Sequence, residues 1–263
     1  MIQKLVDTTV SKGRAERELD LSPRFEKFLR KKFKETEIKQ IDLEALIKKY
    51  HLKGVVFGNY MSQEERYFYC FKTFKQIECL AKLKGSNDIG AGILILSIGA
   101  HGIGGNVLAH FSPRENIINL SRGRKDDYSD FMKGENSFVH EYGHFIDFYQ
   151  GRMKDKTLMH NFASENKNPD WKNQITTGFS APVIEVKSDE SYTKHLRTPY
   201  LKSNIEVFAR LFEAAITHYV HAHAPAYNAF FPRTYTEGIY YPKSKILKKG
   251  YDKKIVSVLR SSL

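Results

Sequence analysis

The chain has 263 residues, a net charge of +12 and a hydrophobic fraction of 41%. That length supports a full core in one large domain, and the composition is that of a soluble globular chain. No stretch approaches the roughly 20 consecutive apolar residues of a membrane span. The N-terminal run MIQKLVDTTVSKGRAERELD lacks a signal peptide's apolar segment, so a cytoplasmic protein is expected. Residues 1–40 are charged and weakly patterned and read as a basic extension, helical or partly disordered, with the main domain over 41–263. Ile41, Leu43, Leu46 and Ile47 mark a short amphipathic helix, and Leu52 to Phe57 a β-rich stretch. Ser62 followed by Glu65 is a capping box. It opens a helix to about Leu83 whose Tyr67, Phe68, Phe71, Phe74, Ile77 and Leu80 recur at core spacing. Cys70 and Cys79 on that helix would stand about 13 Å apart along its axis, too far for a disulfide, and read as buried thiols.

Strands are expected over Gly92–Ala100, Val107–Phe111 and Ile117–Leu120, with Gly102, Gly104 and Gly105 as a flexible connection. A charged loop, Arg122 to Asp130, leads to a helix from about Glu135 to Gln150. A polar stretch from about Thr157 to Thr198 reads as a long loop, and loops of that length are usually functional or disordered. Asn204 then caps a helix to about Tyr219, after which His221 and His223 read as surface residues. The basic excess is partly local, as in Arg30-Lys31-Lys32 and Lys243 to Lys254. It allows non-specific nucleic-acid contact, but no nucleic-acid-reading motif accompanies it.

The residues with chemistry begin at His140-Glu141-Tyr142-Gly143-His144, an HExxH motif on the expected helix. Four residues turn a helix by about 400°, so His140 and His144 share one face and can share one tetrahedral ion. Glu141 is rotated toward the open side of the metal, where it can take a proton from bound water. A catalytic zinc takes a third protein ligand. Glu206, on the first turn of the amphipathic helix NIEVFARLFE, is the candidate; it also has the spacing for an i,i+4 pair with Arg210. Asp147 is the rival, but one helix rarely offers three ligands to one ion. It is placed behind the ligands, accepting a hydrogen bond from a liganding imidazole or pairing with Arg210. His101 and His110 read as structural or substrate-facing.

The run Gly54 to Tyr60, then Gly99-Ala100-His101-Gly102, Leu108 to Phe111, Ile117 to Leu120, HEYGHFID, Pro199-Tyr200, EVFAR and Tyr241-Pro242 resembles the large polyvalent protein-associated domain 1. That zincin-like family belongs to phages and conjugative elements, and the likeness spans roughly residues 41–263. The family has an Arg where this chain has His101. The pair HEYGHFID and NIEVFARLFE is also similar to the catalytic core of the anthrax lethal factor group of gluzincins. That resemblance implies Glu206 as third zinc ligand and Tyr200 as oxyanion-stabilising tyrosine, although Tyr200 lies one residue closer than the pattern. It further implies an edge strand for an extended peptide, placing Asn106, Leu108 and His110 at the substrate.

The expected fold is therefore α+β and zincin-like: a small mixed sheet, the HExxH helix beneath it and a ligand-bearing helix alongside. The expected function is zinc-dependent hydrolysis of a protein or peptide substrate. The expected location is a host cell's cytoplasm or a virion, with no membrane. A non-catalytic accessory protein binding nucleic acid or a protein partner is the alternative, and a host-protein-cleaving effector would share the same chemistry.

Overall fold

The computed structural model describes residues 21–34, 41–59, 61–99, 108–121, 137–154, 162–165, 174–233, 238–242 and 247–262. His101, the glycines at 102, 104 and 105, and Asn106 lie outside the described residues. No described helix is long and apolar enough to cross a membrane.

The first elements are α1 (Pro23–Phe33), α2 (Leu43–Lys49), β1 (Gly54–Phe57) and α3 (Gln63–Lys84). Ser22 caps α1, and its hydroxyl donates to Glu64 at 2.6 Å. Phe25, Leu29 and Phe33 on one face of α1 enter the same core as the rest of the chain. Residues 21–33 of the expected extension thus belong to the body of the protein, because an apolar face at i, i+4, i+8 spacing hides among the charges.

α3 begins with the capping box read from sequence: the Glu65 carboxylate accepts from the Ser62 backbone at 2.7 Å, and Ser62 accepts from the Glu65 backbone. Gly85, at φ 79°, ends it. Tyr67, Phe68, Phe74, Ile77 and Leu80 are buried, as their spacing predicts. Both cysteines are free and buried, and burial pushes each thiol up to about 12.

β2 (Ile95–Ile98), β3 (Ala109–Ser112) and β4 (Ile117–Leu120) complete a mixed sheet of order β1-β2-β4-β3. The first three neighbours run parallel, and β3 pairs antiparallel at the edge. Phe111 of β3 meets Phe145 and Phe148 of α4 (Phe138–Lys154), each at 5.9 Å between ring centroids. This contact holds the HExxH helix against the edge of the sheet.

The expected polar loop over 157–198 contains helices. α5 (Gln174–Lys187), α6 (Glu190–Thr193) and α7 (Pro199–Lys202) precede α8 (Asn204–His223), and α9 (Asp252–Ser261) closes the order. Phe179, Val183 and Val186 give α5 a buried stripe, and Phe179 stacks on Phe208 of α8 at 4.9 Å. Gly178 and the internal Pro182 hid this helix in the sequence. The cap of α8 is Ser203, which accepts from the Glu206 backbone, in place of the expected Asn204. α8 continues four residues past the expected end, so His221 is helical and its ring meets the Phe231 carbonyl at 2.7 Å. α8 packs against α4, α5 and α9, and Val207, Phe208, Leu211, Phe212 and Ile216 are fully buried on it. Burying each such side chain contributes about 1.5–3 kcal/mol, which sets the α4–α8 contact firmly. The architecture is α+β, mostly helical with one small sheet.

Candidate metal centre

α4 and α8 touch at Gly143. A Cβ there would come within 3.2 Å of the Phe212 ring and 3.3 Å of the Ala209 Cα, so the glycine inside the HExxH motif lets the two helices approach. That approach carries the Glu206 carboxylate to the two imidazoles. Glu206 Oε1 stands 3.6 Å from His140 Nε2, and Oε2 stands 3.5 Å from His144 Nε2. The two rings are 4.9 Å apart and nearly perpendicular. His140, His144 and Glu206 are the group that could hold a metal ion among the described residues, with their ligand atoms all within 4.8 Å of one another.

The fit to an ion can be judged from the polar atoms. Tetrahedral ligands about 2.0–2.1 Å from zinc stand roughly 3.3–3.4 Å from each other, close to the two imidazole–carboxylate separations. Nine buried side-chain atoms lack a hydrogen-bond partner among the described residues, and five cluster here: His140 Nδ1, His144 Nδ1, Glu206 Oε2, Arg210 Nη1 and Tyr192 OH. Orphaned buried polar atoms are costly, and of the five it is Glu206 Oε2, 3.5 Å from His144 Nε2, that an ion between the imidazoles would satisfy. Charge points the same way. Glu141, Glu206 and Glu213 are all buried, with Arg210 as the buried cation. With neutral imidazoles they leave two uncompensated negative charges, the charge of one divalent cation.

The titrations follow from this field. Burial alone would lower His140, but Glu206, Glu213 and Glu141 outweigh it and raise the ring to about 10. Burial alone would raise Glu206, but the two facing imidazoles hold its carboxyl far below the usual range. Arg210, one turn further along α8, holds Glu206 Oε1 at 2.7 Å. Glu206 thus makes the i,i+4 pair and also faces the imidazoles. The fully buried Tyr192 stands beside Arg210, and burial pushes its phenol up to about 12.

Glu141 is buried, and its charge reaches both His140 and Tyr200. Tyr200, on the short α7, is 65% exposed. Its hydroxyl end faces inward: burial there and the neighbouring Glu206 carboxylate raise its phenol.

Asp147 corrects the expectation placed on it. Its two oxygens accept from Ser164, from the backbone at 2.7 Å and the hydroxyl at 2.6 Å. It receives no imidazole hydrogen bond and does not pair with Arg210. The Ser164 carbonyl in turn accepts from Asn204 at 3.2 Å, and Lys187 donates to Asn204 at 2.7 Å. Asp147 therefore braces α4 to the start of α8 through a short turn. Burial pushes its carboxyl up to about 7, against the pull of the Ser164 bonds.

Glu213 is the carboxylate nearest the far side of an imidazole, with Oε2 3.4 Å from His140 Nδ1. Sequence reasoning left it out, although it lies two helical turns after Glu206 on the same face. Leu108 stands partly exposed before the edge strand. His110 is turned away: its Nε2 lies 3.0 Å from the Asn119 amide of β4. Strand alternation puts it on the sheet face opposite Phe111 and α4, so a direct contact with substrate beside the metal group is not supported.

Comparison with protein-family models, with curated proteins and with solved structures returns no match. The chemistry of the site therefore rests on its own geometry: two histidines and a glutamate, drawn from two helices, converge with surplus negative charge on one buried point.

Proposed function

We propose that the chain is a zinc-dependent metallopeptidase of the gluzincin type, with His140, His144 and Glu206 as ligands. The observation that carries this reading is the convergence of those three donors, within 4.8 Å of one another, beside the buried carboxylates Glu141 and Glu213. Zinc bound there would supply the Lewis acidity that brings a bound water's pKa to about 7. Glu141, beside the first ligand, takes the proton from the attacking water and passes it to the leaving amine. Tyr200 is exposed enough to turn its hydroxyl from Glu206 to the developing oxyanion. Arg210 orients the Glu206 carboxylate. Among the described residues β3 is an edge strand, where an extended peptide would find backbone to pair with and Leu108 for apolar contact. The motif likeness to the phage and mobile-element zincin-like family supports action in a host cell.

Screening a peptide library with wild type and Glu141→Gln tests this. The variant is expected to retain zinc and lose cleavage by about 10²–10⁴-fold. Equal cleavage by both proteins would remove the mechanism.

A non-catalytic accessory role has its own support in the basic ridge of α1, where Arg24, Lys27, Arg30 and Lys31 are exposed. Under that reading DNA binding weakens steeply with salt, and absence of binding at low salt dismisses it.

A further inference from the structure

Glu213 takes no part in the proton transfers above. It is 3% exposed, and a buried carboxylate is costly unless partnered. Its Oε2 has two neighbours. The Tyr241 hydroxyl donates to it at 2.7 Å, and His140 Nδ1 stands 3.4 Å away on the other side. That Nδ1 is within ion-pair range but not in hydrogen-bond alignment, and it has no other partner. An imidazole that gives Nε2 to a metal must carry its proton on Nδ1, where the proton needs an acceptor. Catalytic hydrogen bonds are often long before a site is loaded and tighten afterwards.

We propose that Tyr241 and Glu213 are a positioning pair for His140: Tyr241 fixes the Glu213 carboxylate, and Glu213 fixes the tautomer and the plane of the ring. The proposal rests on the metal centre described above. The two ligand imidazoles are then unequal among the described residues, where the His144 Nδ1 has no hydrogen-bond partner. The neighbouring Tyr240 strengthens the assignment. Its ring lies 5.7 Å from the Arg210 guanidinium, within the range of a cation–π contact, and Arg210 holds Glu206. Residues 238–242 therefore reach two of the three ligands through one charged intermediary each.

The test is zinc affinity of the full chain, by competition with a chromogenic chelator, in wild type, Glu213→Ala and Tyr241→Phe. The absorption spectrum of the Co²⁺-loaded forms is the second readout. Glu213→Ala is expected to lose about 10–100-fold in affinity and to shift the Co²⁺ bands. Tyr241→Phe keeps the ring, loses only the donor, and is expected to show a smaller loss of the same kind. Glu213→Gln keeps an acceptor and should recover part of the affinity. Metal-free Glu213→Ala strands the Tyr241 hydroxyl and is expected to melt lower than metal-free wild type, so the affinities are compared well below both melting temperatures. Unchanged affinity and spectrum in Glu213→Ala and Tyr241→Phe would overturn the proposal while leaving the metal centre standing. A wild type that binds no zinc would overturn both. If Glu213→Ala fails to fold, Tyr241→Phe decides the matter alone.

Discussion

Asp147 and Glu206 are both buried carboxylates at the junction of α4 and α8, and they are satisfied in different ways. Asp147 takes a backbone amide and a hydroxyl from Ser164, and the chain of bonds runs on through Asn204 to Lys187. Glu206 has one oxygen on Arg210 and the other without a hydrogen-bond partner among the described residues, beside the two imidazoles. The first cluster is complete without a guest. The second keeps a carboxylate oxygen that a guest ion would satisfy. Spacing along α4 does not separate the two, since His140, His144 and Asp147 lie within two turns of one helix. Their partners do, and those partners come from distant segments.

Substitutions should separate the two clusters in the same way. Asp147→Ala strands the Ser164 donors and is expected to cost about 1–3 kcal/mol of stability, measured by denaturant unfolding, while zinc content stays at the wild-type level. A loss of zinc larger than the loss of fold would show that Asp147 belongs to the metal centre. The same residue gives a pH signature in the metal-free protein. Its folded pKa of about 7 lies above the ordinary 3.8, so the folded state binds the proton more tightly than the unfolded one. The contribution of this group is therefore fully present below about pH 4 and is lost as pH rises to about 7. Compared with Asp147→Asn, wild type should lose stability between pH 4 and 7, and the difference should level off above that. A difference that grows in the opposite direction would contradict the buried, raised carboxyl. Gly143→Ala is expected to change stability least. The helix-propensity gain of about 1 kcal/mol is offset by overpacking of about 1–3 kcal/mol against Phe212 and Ala209. Its zinc affinity should fall nonetheless, because the helices that carry the ligands are pushed apart. Unchanged affinity would show that the close approach is not what brings Glu206 in.

Much of the metal group is legible in the sequence because helical geometry is local. The four-residue spacing of His140 and His144, and the apolar stripe that turns Glu206 toward them, need no knowledge of distant residues. The same arithmetic reaches Glu213, seven residues after Glu206, once both faces of the imidazole are considered. The fold is legible where caps and periodicity are strong, as in the Ser62–Glu65 box. It is less legible over α5, where Gly178 and an internal Pro182 interrupt the helical pattern. Asp147 was misplaced because its partner, Ser164, sits on a turn that no periodicity announces. Tyr241 stands 28 positions from Glu213, and its motif carried no sign of what it touches. Long-range partners are set by tertiary packing, and they decide what each carboxylate is for.

The zinc content of purified, untagged wild type and Glu206→Ala, by elemental mass spectrometry, tests the central claim most directly. The account predicts about one zinc per wild-type chain and a large reduction in the variant, with both proteins folded. Equal zinc in the two proteins, or none in wild type after reconstitution, would contradict it.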